Sequence, residues 1–179
     1  MNFYLALYLA LPAFVANMLP VFATKMDFCS QLNFPVDGGR KIFGRRIFGA
    51  NKSFRGLFVG TLGGAIVGGI QFFVETRGIF AIGLFDTFFE FLVFGALAGF
   101  GALVGDLAGS FLKRLLGVAP GRPFLPLDQI DYIIGYLLFT APLIAWDVPA
   151  VVFLLVFVTL VNPLVNILGY VLRIKKTFW

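Results

Sequence analysis

The stretch FYLALYLALPAFVANMLPVF, from Phe3 to Phe22, decides the fold, because it contains no charged side chain. A helix that crosses the roughly 30 Å hydrocarbon core of a bilayer needs about 20 mostly apolar residues. The stretch also lacks the basic residues with which a cleavable signal peptide begins. We therefore predict a helix that stays in the membrane.

The rest of the chain has the same character. Of its 179 residues, 60% are hydrophobic and 13% are charged, and its mean hydropathy is +0.96, whereas soluble domains carry about 25% charged residues. The sequence predicts an all-α integral membrane protein, one domain over residues 1–179, with a bundle of about five transmembrane helices. The predicted spans are 3–22, 57–74, 80–104, 130–146 and 148–172, and the predicted polar loops are 23–56 and 106–129.

The basic residues predict the orientation of the bundle. All of them except Arg77 fall in the two polar loops or after the last span. Because cytoplasmic loops carry the excess of Lys and Arg, both loops are predicted to be cytoplasmic. With five spans, the N-terminus is then outside and the C-terminus inside.

Glycines recur at four-residue spacing in the second and third spans. Gly60, Gly64 and Gly68 share one helix face, and the same spacing relates Gly95 to Gly99 and Gly101 to Gly105. Small residues at this spacing let helix backbones approach closely in lipid. Two interpretations remain open, close helix packing or a glycine-lined cleft for a lipid chain, and such faces also permit a homodimer.

The residue inventory excludes several kinds of chemistry. Cys29 is the single cysteine and the chain has no histidine. An internal disulfide, a cysteine-built metal site and imidazole general-base catalysis are therefore excluded. The remaining chemistry must use carboxylates, hydroxyls, Lys, Arg and an external cofactor.

The first loop contains VDGGRKIFGRRIFGANKSFRG, residues 36–56, in which basic side chains alternate with glycines before a predicted helix start near Leu57. Backbone amides next to glycines and a helix N-terminus both favour phosphate. Lys52, Ser53 and Arg55 are the candidate phosphate ligands, although the spacing is not that of a Walker A loop. The alternative is a polybasic segment held by anionic lipid headgroups.

The second loop, GDLAGSFLKRLLGVAPGRPFLPLDQIDY, concentrates charge between two apolar segments. If the third span continues as a helix, Asp106, Ser110 and Lys113 lie on one face, beside Arg114. Asp128 and Asp131 share a face at the start of the fourth span.

Three carboxylates would then converge at the membrane border. Carboxylates without histidine are typical ligands of Mg²⁺, and the adjacent cations suit the phosphates that such a metal bridges. The alternative is a ring of aspartate–arginine pairs that caps the helix ends.

These motifs resemble a known family. GDLAGSFLKR followed by LDQIDY resembles the signature of the CTP-dependent cytidylyltransferases that activate phosphatidate-type lipids, and GANKSFRG resembles a second block of that family. The usual Gly-His-Gly-Gly run is absent and Gln129 replaces an arginine, as in the archaeal branch, the CDP-archaeol synthases. The matching residues are Lys52, Ser53, Arg55, Gly56, Ser110, Lys113, Arg114, Asp128 and Asp131.

The resemblance implies a reaction and roles for these residues. CTP and 2,3-bis-(O-geranylgeranyl)-sn-glycerol 1-phosphate, an isoprenoid ether-lipid phosphate, would give CDP-archaeol and pyrophosphate with Mg²⁺ at the cytoplasmic face of the cell membrane. Asp128 and Asp131 would hold the metal, with Asp106 as a third ligand or an orienting group. The expected partners are CTP, the lipid substrate and membrane lipids, without nucleic acid. The residues expected to bind CTP and its phosphates are Lys52, Ser53, Arg55, Ser110, Lys113 and Arg114.

Some features and alternatives stay open at this point. Glu90 is either a functional intramembrane acid or an interfacial or helix-pairing residue near Asp86. Asn162, Pro163 and Asn166 either kink the last helix or pack against the third. Two rival functions also remain. One is a CDP-alcohol phosphotransferase, although DGGR at Asp37 matches only the opening of that family's usual motif. The other is a non-catalytic scaffold or channel.

Overall fold

Five α-helices, the number that the sequence predicts, make up most of the computed structural model. It describes residues 1–42, 44–49, 51–80, 83–119, 122, 124–125 and 127–172, without the side chain of Arg45. The elements in chain order are α1 (Phe3–Lys25), a 3₁₀ turn (Ser30–Leu32), β1 (Lys41–Ile42), β2 (Arg45–Arg46), α2 (Phe54–Thr76), α3 (Phe88–Leu115), α4 (Leu127–Thr140) and α5 (Val148–Val171).

Four of these helices are long and apolar enough to cross a membrane by length and composition. They are α1, α2, α3 and α5, within the residues that the structure describes. The protein is therefore a multi-pass membrane protein. The count of five crossings and the orientation stay predictions.

The fourth helix differs from the predicted span 130–146. It begins at Leu127 and ends at Thr140, so its 14 residues span about 21 Å, less than the hydrocarbon thickness. The helix ends there because Pro142 has no amide N–H to continue it. The Trp146 indole instead folds back and donates a hydrogen bond to the Thr140 hydroxyl at 3.1 Å.

The third helix begins at Phe88, later than the predicted residue 80. Residues 81 and 82 of the predicted span lie outside the described residues. Thr87 and Glu90 form a reciprocal capping box: the Thr87 hydroxyl accepts a bond from the Glu90 amide, and the Glu90 carboxylate accepts one from the Thr87 amide at 2.9 Å. This pair fixes the helix start at Phe88. Glu90 is thus an exposed capping residue at the helix end, which answers the question the sequence left open.

Glycine contacts join the helices into one bundle. A Cβ added to Gly64 would lie 2.4 Å from the carbonyl oxygen of Gly95, so α2 and α3 meet backbone to backbone. Gly101 and Gly105 meet Gly135 of α4 in the same way. The helix-packing interpretation is therefore confirmed, and the lipid-cleft interpretation of these glycines is wrong.

The last helix lies on the outside of the bundle. It packs chiefly on α4 and also on α1, where Phe153 stacks on Phe3 with ring centroids 4.5 Å apart. The helix continues unbroken through Pro163 to Val171. The basic residues predicted to follow it, Arg173, Lys175 and Lys176, lie outside the described residues.

Candidate functional site

A polar cavity of about 270 Å³ lies at one end of the bundle, where α3 ends and α2 and α4 begin. It brings together the two loops that the sequence analysis singled out. All the predicted site residues except Ser53 and Arg55 line it. The lining residues are Phe48, Gly49, Asn51, Lys52, Asp106, Ser110, Lys113, Arg114, Asp128 and Asp131.

The last turns of α3 supply one wall. The helix continues past Val104 to Leu115, and Asp106, Ser110 and Lys113 all reach the cavity, as their spacing predicts. The side chain of Arg114 is buried beside them. One of its nitrogens, Nη1, donates a hydrogen bond to the Val118 carbonyl oxygen at 2.6 Å, while Nε has no protein partner.

The first turn of α4 supplies the opposite wall. Asp128 accepts a hydrogen bond from the amide of Phe124 at 2.9 Å, just before the helix begins. Asp131 is 8% exposed and accepts one from the amide of Tyr132 at 2.7 Å. Both carboxylates therefore face the cavity from the helix start.

Glycines of α3 make room for Asp131. A Cβ on Gly109 would lie 2.2 Å from the Asp131 Oδ2 atom, and one on Gly105 would lie 2.2 Å from the Asp131 carbonyl oxygen. Any side chain at either position would push α4 away from α3. The glycine spacing of α3 thus sets the depth at which the Asp131 carboxylate sits.

Two of the three carboxylates are paired with lysines. Lys52 forms an ion pair with Asp106, and the Lys113 Nζ atom lies 2.7 Å from an Asp128 oxygen. Within the described part of the chain, no three acidic, cysteine or histidine side chains are close enough to form a metal cluster. The three predicted ligands therefore line one cavity, with two of them paired with lysines, and their role as metal ligands stays a prediction.

Ser53 and Arg55 do not reach the cavity. Ser53 caps α2, where its hydroxyl accepts a hydrogen bond from the Gly56 amide at 3.3 Å. Arg55 is 3% exposed, and its guanidinium points to the Thr24 hydroxyl at 3.3 Å and to Asp27 at 3.4 Å. Ser53 therefore caps its own helix, which begins three residues before the predicted Leu57, and Arg55 ties the start of α2 to the end of α1.

Three lining residues were not predicted. Phe48, Gly49 and Asn51 precede Lys52 in the first loop. Gly49 adopts a φ of +93° that favours glycine, and it passes close to the Arg114 guanidinium. Gly49 and Asn51 lie within the GANKSFRG block that resembles the family, and this was the sequence signal for them.

These features define a class of protein: a multi-pass helical membrane protein with carboxylates and cations around one cavity at the end of its bundle. A family model described as "CarS-like: CDP-archaeol synthase" matches residues 2–179. The chain belongs to this family.

Individual relatives and one solved structure agree. The chain is 38% identical to CDP-archaeol synthase of Methanococcus aeolicus, over 94% of this chain and 92% of that protein. It is 35% identical to CDP-archaeol synthase of Thermococcus onnurineus, over 97% and 95% respectively. A solved structure described as an intramembrane enzyme for archaeal membrane lipids biosynthesis matches with a TM-score of 0.74 and 32% identity, over 93% of this chain and 95% of that chain.

Proposed function

We propose that this chain transfers the cytidylyl group of CTP to 2,3-bis-(O-geranylgeranyl)-sn-glycerol 1-phosphate, releasing pyrophosphate and forming the CDP-lipid. Membership of the CDP-archaeol synthase family supports this reaction and argues against a non-catalytic scaffold or channel. The observation that supports the location of the site is a cavity in which acidic and basic side chains meet at the ends of membrane helices.

The reaction requires positioning and charge neutralisation more than covalent help. An oxygen of the lipid phosphate attacks the α-phosphorus of CTP, while the bond from that phosphorus to the bridging oxygen of pyrophosphate breaks. The attacking phosphate is ionised at neutral pH, so no general base is needed. A site without histidine is sufficient for this chemistry.

The donor set of the cavity fits Mg²⁺. Asp106, Asp128 and Asp131 offer carboxylate oxygens, which this hard cation prefers, and neither thiolate nor imidazole competes. We assign the metal to Asp128 and Asp131, with Asp106 as a third ligand or orienting group. When bound, Mg²⁺ supplies positive charge at the α-phosphate and the departing pyrophosphate.

Two lysines of the cavity can exchange their carboxylate partners for phosphates of CTP. Lys52 and Lys113 neutralise Asp106 and Asp128 in ion pairs. With CTP bound, these lysines would turn to its phosphates and leave the carboxylates of Asp106 and Asp128 free to hold the metal. Ser110 and Arg114 from α3 and Asn51 from the first loop add hydrogen bonds to phosphate or ribose oxygens.

The cavity belongs on the cytoplasmic side in this proposal. The segments 23–56 and 106–129, which supply most of its lining, carry ten of the 14 basic residues, as expected of a cytoplasmic surface. CTP is cytosolic, and the phosphate of a membrane lipid lies at the headgroup level. A site at the helix ends lets the isoprenoid chains stay in the bilayer while the phosphate meets CTP.

The test is product formation by the purified protein in detergent with labelled CTP, MgCl₂ and the lipid phosphate. We expect a labelled CDP-lipid that EDTA abolishes, and at least a hundredfold loss of turnover in Asp128→Asn and Asp131→Asn, a size typical of lost charge stabilisation. Asp86→Asn, an exposed acid at the other end of the bundle, is the matched control. No CDP-lipid with any lipid phosphate refutes the function, and normal turnover in both variants refutes the residue roles.

A further inference from the structure

The DGGR motif that opens at Asp37 forms a buried anchor in the first loop. The Asp37 side chain is 1% exposed although it lies outside every helix. Its carboxylate accepts hydrogen bonds from the Gly39 amide at 2.9 Å, the Arg46 guanidinium at 2.9 Å and the Phe48 amide at 3.3 Å. A buried carboxylate with three donors fixes the backbone around it.

The three bonds close the loop on itself. Gly38 and Gly39 adopt φ values of +58° and +81° that turn the chain directly after Asp37, and the short β1–β2 hairpin then returns it. The bond to Phe48 spans 11 residues of sequence. Asp37 thus ties the far end of the hairpin to its start.

The neighbouring residue makes a second tie. The Val36 amide donates a hydrogen bond to the Lys52 carbonyl oxygen at 3.1 Å. Residues 36 and 37 therefore hold the chain at Lys52 and at Phe48. Between these two ties lies the segment that supplies one cavity wall, with Phe48, Gly49, Asn51 and Lys52 facing the site.

We propose that Asp37 is a positioning residue for the CTP-binding wall of the cavity, acting through the backbone of Phe48. The proposal rests on the function proposed above. Asp37 lines no part of the cavity, so it touches neither substrate. Its carboxylate instead fixes where the Asn51 and Lys52 side chains enter the site.

The negative charge of Asp37 is part of the device. Burial alone would raise the pKa of the Asp37 carboxyl, but the bonds from Arg46, Gly39 and Phe48 outweigh it and hold this pKa below its ordinary value. The group therefore stays ionised at neutral pH. An asparagine side chain in its place keeps the shape but loses the charge. Its NH₂ group would also face one of the three N–H donors that now bond to the carboxylate.

The decisive variant is Asp37→Asn, tested by steady-state kinetics and by amide hydrogen exchange of the purified full chain. We expect the KM for CTP to rise roughly tenfold, the factor that corresponds to losing one charge-assisted hydrogen bond. The KM for the lipid phosphate should stay unchanged. The Phe48 amide should exchange faster with solvent, while amides in α3 keep their protection.

The matched control is Asp27→Asn. Asp27 is a second loop carboxylate beside an arginine, 3.4 Å from the Arg55 guanidinium, but its side chain is 81% exposed. We expect its KM for CTP to equal that of the unmodified protein. A double variant, Asp37→Arg with Arg46→Asp, should not restore binding, because the reversed pair offers no acceptor to the Gly39 and Phe48 amides.

The outcomes separate this inference from the proposed function. If the unmodified protein forms no CDP-lipid, the proposed function fails. If it is active and Asp37→Asn binds CTP equally well with unchanged Phe48 exchange, the positioning role is refuted. If Asp37→Asn does not fold, Asp37→Glu replaces it, since it keeps the charge beside Arg46 but displaces the acceptor from the Gly39 and Phe48 amides. An unchanged KM for CTP in that variant refutes the inference, and a raised KM with faster Phe48 exchange supports it.

Discussion

Substituting Gly135 by alanine should uncouple the two carboxylates of α4 from the residues of α3. A Cβ on Gly135 would lie 2.1 Å from the Gly101 carbonyl oxygen and 2.7 Å from the Gly105 Cα and N atoms. All three neighbours are backbone atoms of α3, so no side chain can rotate aside. The helices must separate by about 1 Å before the methyl group reaches an ordinary contact distance.

That separation acts directly on the cavity. Asp128 and Asp131 are carried by α4, whereas Asp106, Ser110 and Lys113 are carried by α3. A displacement of about 1 Å between catalytic groups can lower a rate by about a hundredfold. The overpacking costs about 1–3 kcal/mol of stability, and we expect the variant to remain folded.

The assay is pyrophosphate release at saturating CTP and lipid phosphate, with helicity and size-exclusion profiles as checks on folding. Gly69→Ala is the matched control, because its added Cβ would meet only the ends of the Phe88 and Leu92 side chains, at 3.1 and 3.4 Å. We expect kcat to fall about a hundredfold in Gly135→Ala and to change less than twofold in Gly69→Ala. Equal kcat values in the two folded variants would refute the argument that the glycine contact positions α4.

Two further predictions concern charge. Lys113→Met should weaken CTP binding about tenfold, because a phosphate of CTP loses a charged partner. Mn²⁺ binding without CTP should tighten in the same variant, because the Asp128 carboxylate is freed. Equilibrium dialysis measures both affinities, and weaker Mn²⁺ binding would contradict the exchange of partners. The lowered pKa of Asp37 stabilises the fold above its ordinary pKa of 3.8, and this contribution is lost as the pH falls through the lower folded-state pKa. The Tm difference between the unmodified protein and Asp37→Asn should therefore be constant near neutral pH and shrink as the pH falls below the ordinary pKa of 3.8. A constant Tm difference at every pH would contradict this role of the Asp37 charge.

The sequence predicted the features that depend on helix periodicity. The spacing of Asp106, Ser110 and Lys113 predicted a shared face, and that face lines the cavity. Asp128 and Asp131 reach the same cavity for the same reason. Periodicity succeeds here because a helix fixes side-chain direction whatever surrounds it.

Features at helix ends and in loops were predicted less well. Ser53 and Arg55 were predicted at a phosphate site, but Ser53 caps α2 and Arg55 bonds to Thr24 of α1 instead. Pro142 shortened α4 below the predicted span. The Asp37 anchor was missed because its bond to Phe48 joins residues 11 apart through a hairpin, which no local pattern specifies.

The central claim is that the carboxylates of α4 hold a divalent metal together with CTP. The most direct measurement is electron paramagnetic resonance of Mn²⁺, as a substitute for Mg²⁺, titrated into the purified protein with CTP present. We expect the unmodified protein to bind Mn²⁺ and remove the signal of the free ion, whereas Asp131→Asn, with its buried carboxylate neutralised, should leave that signal at the level of CTP alone. Equal Mn²⁺ binding by the two proteins would contradict the assignment.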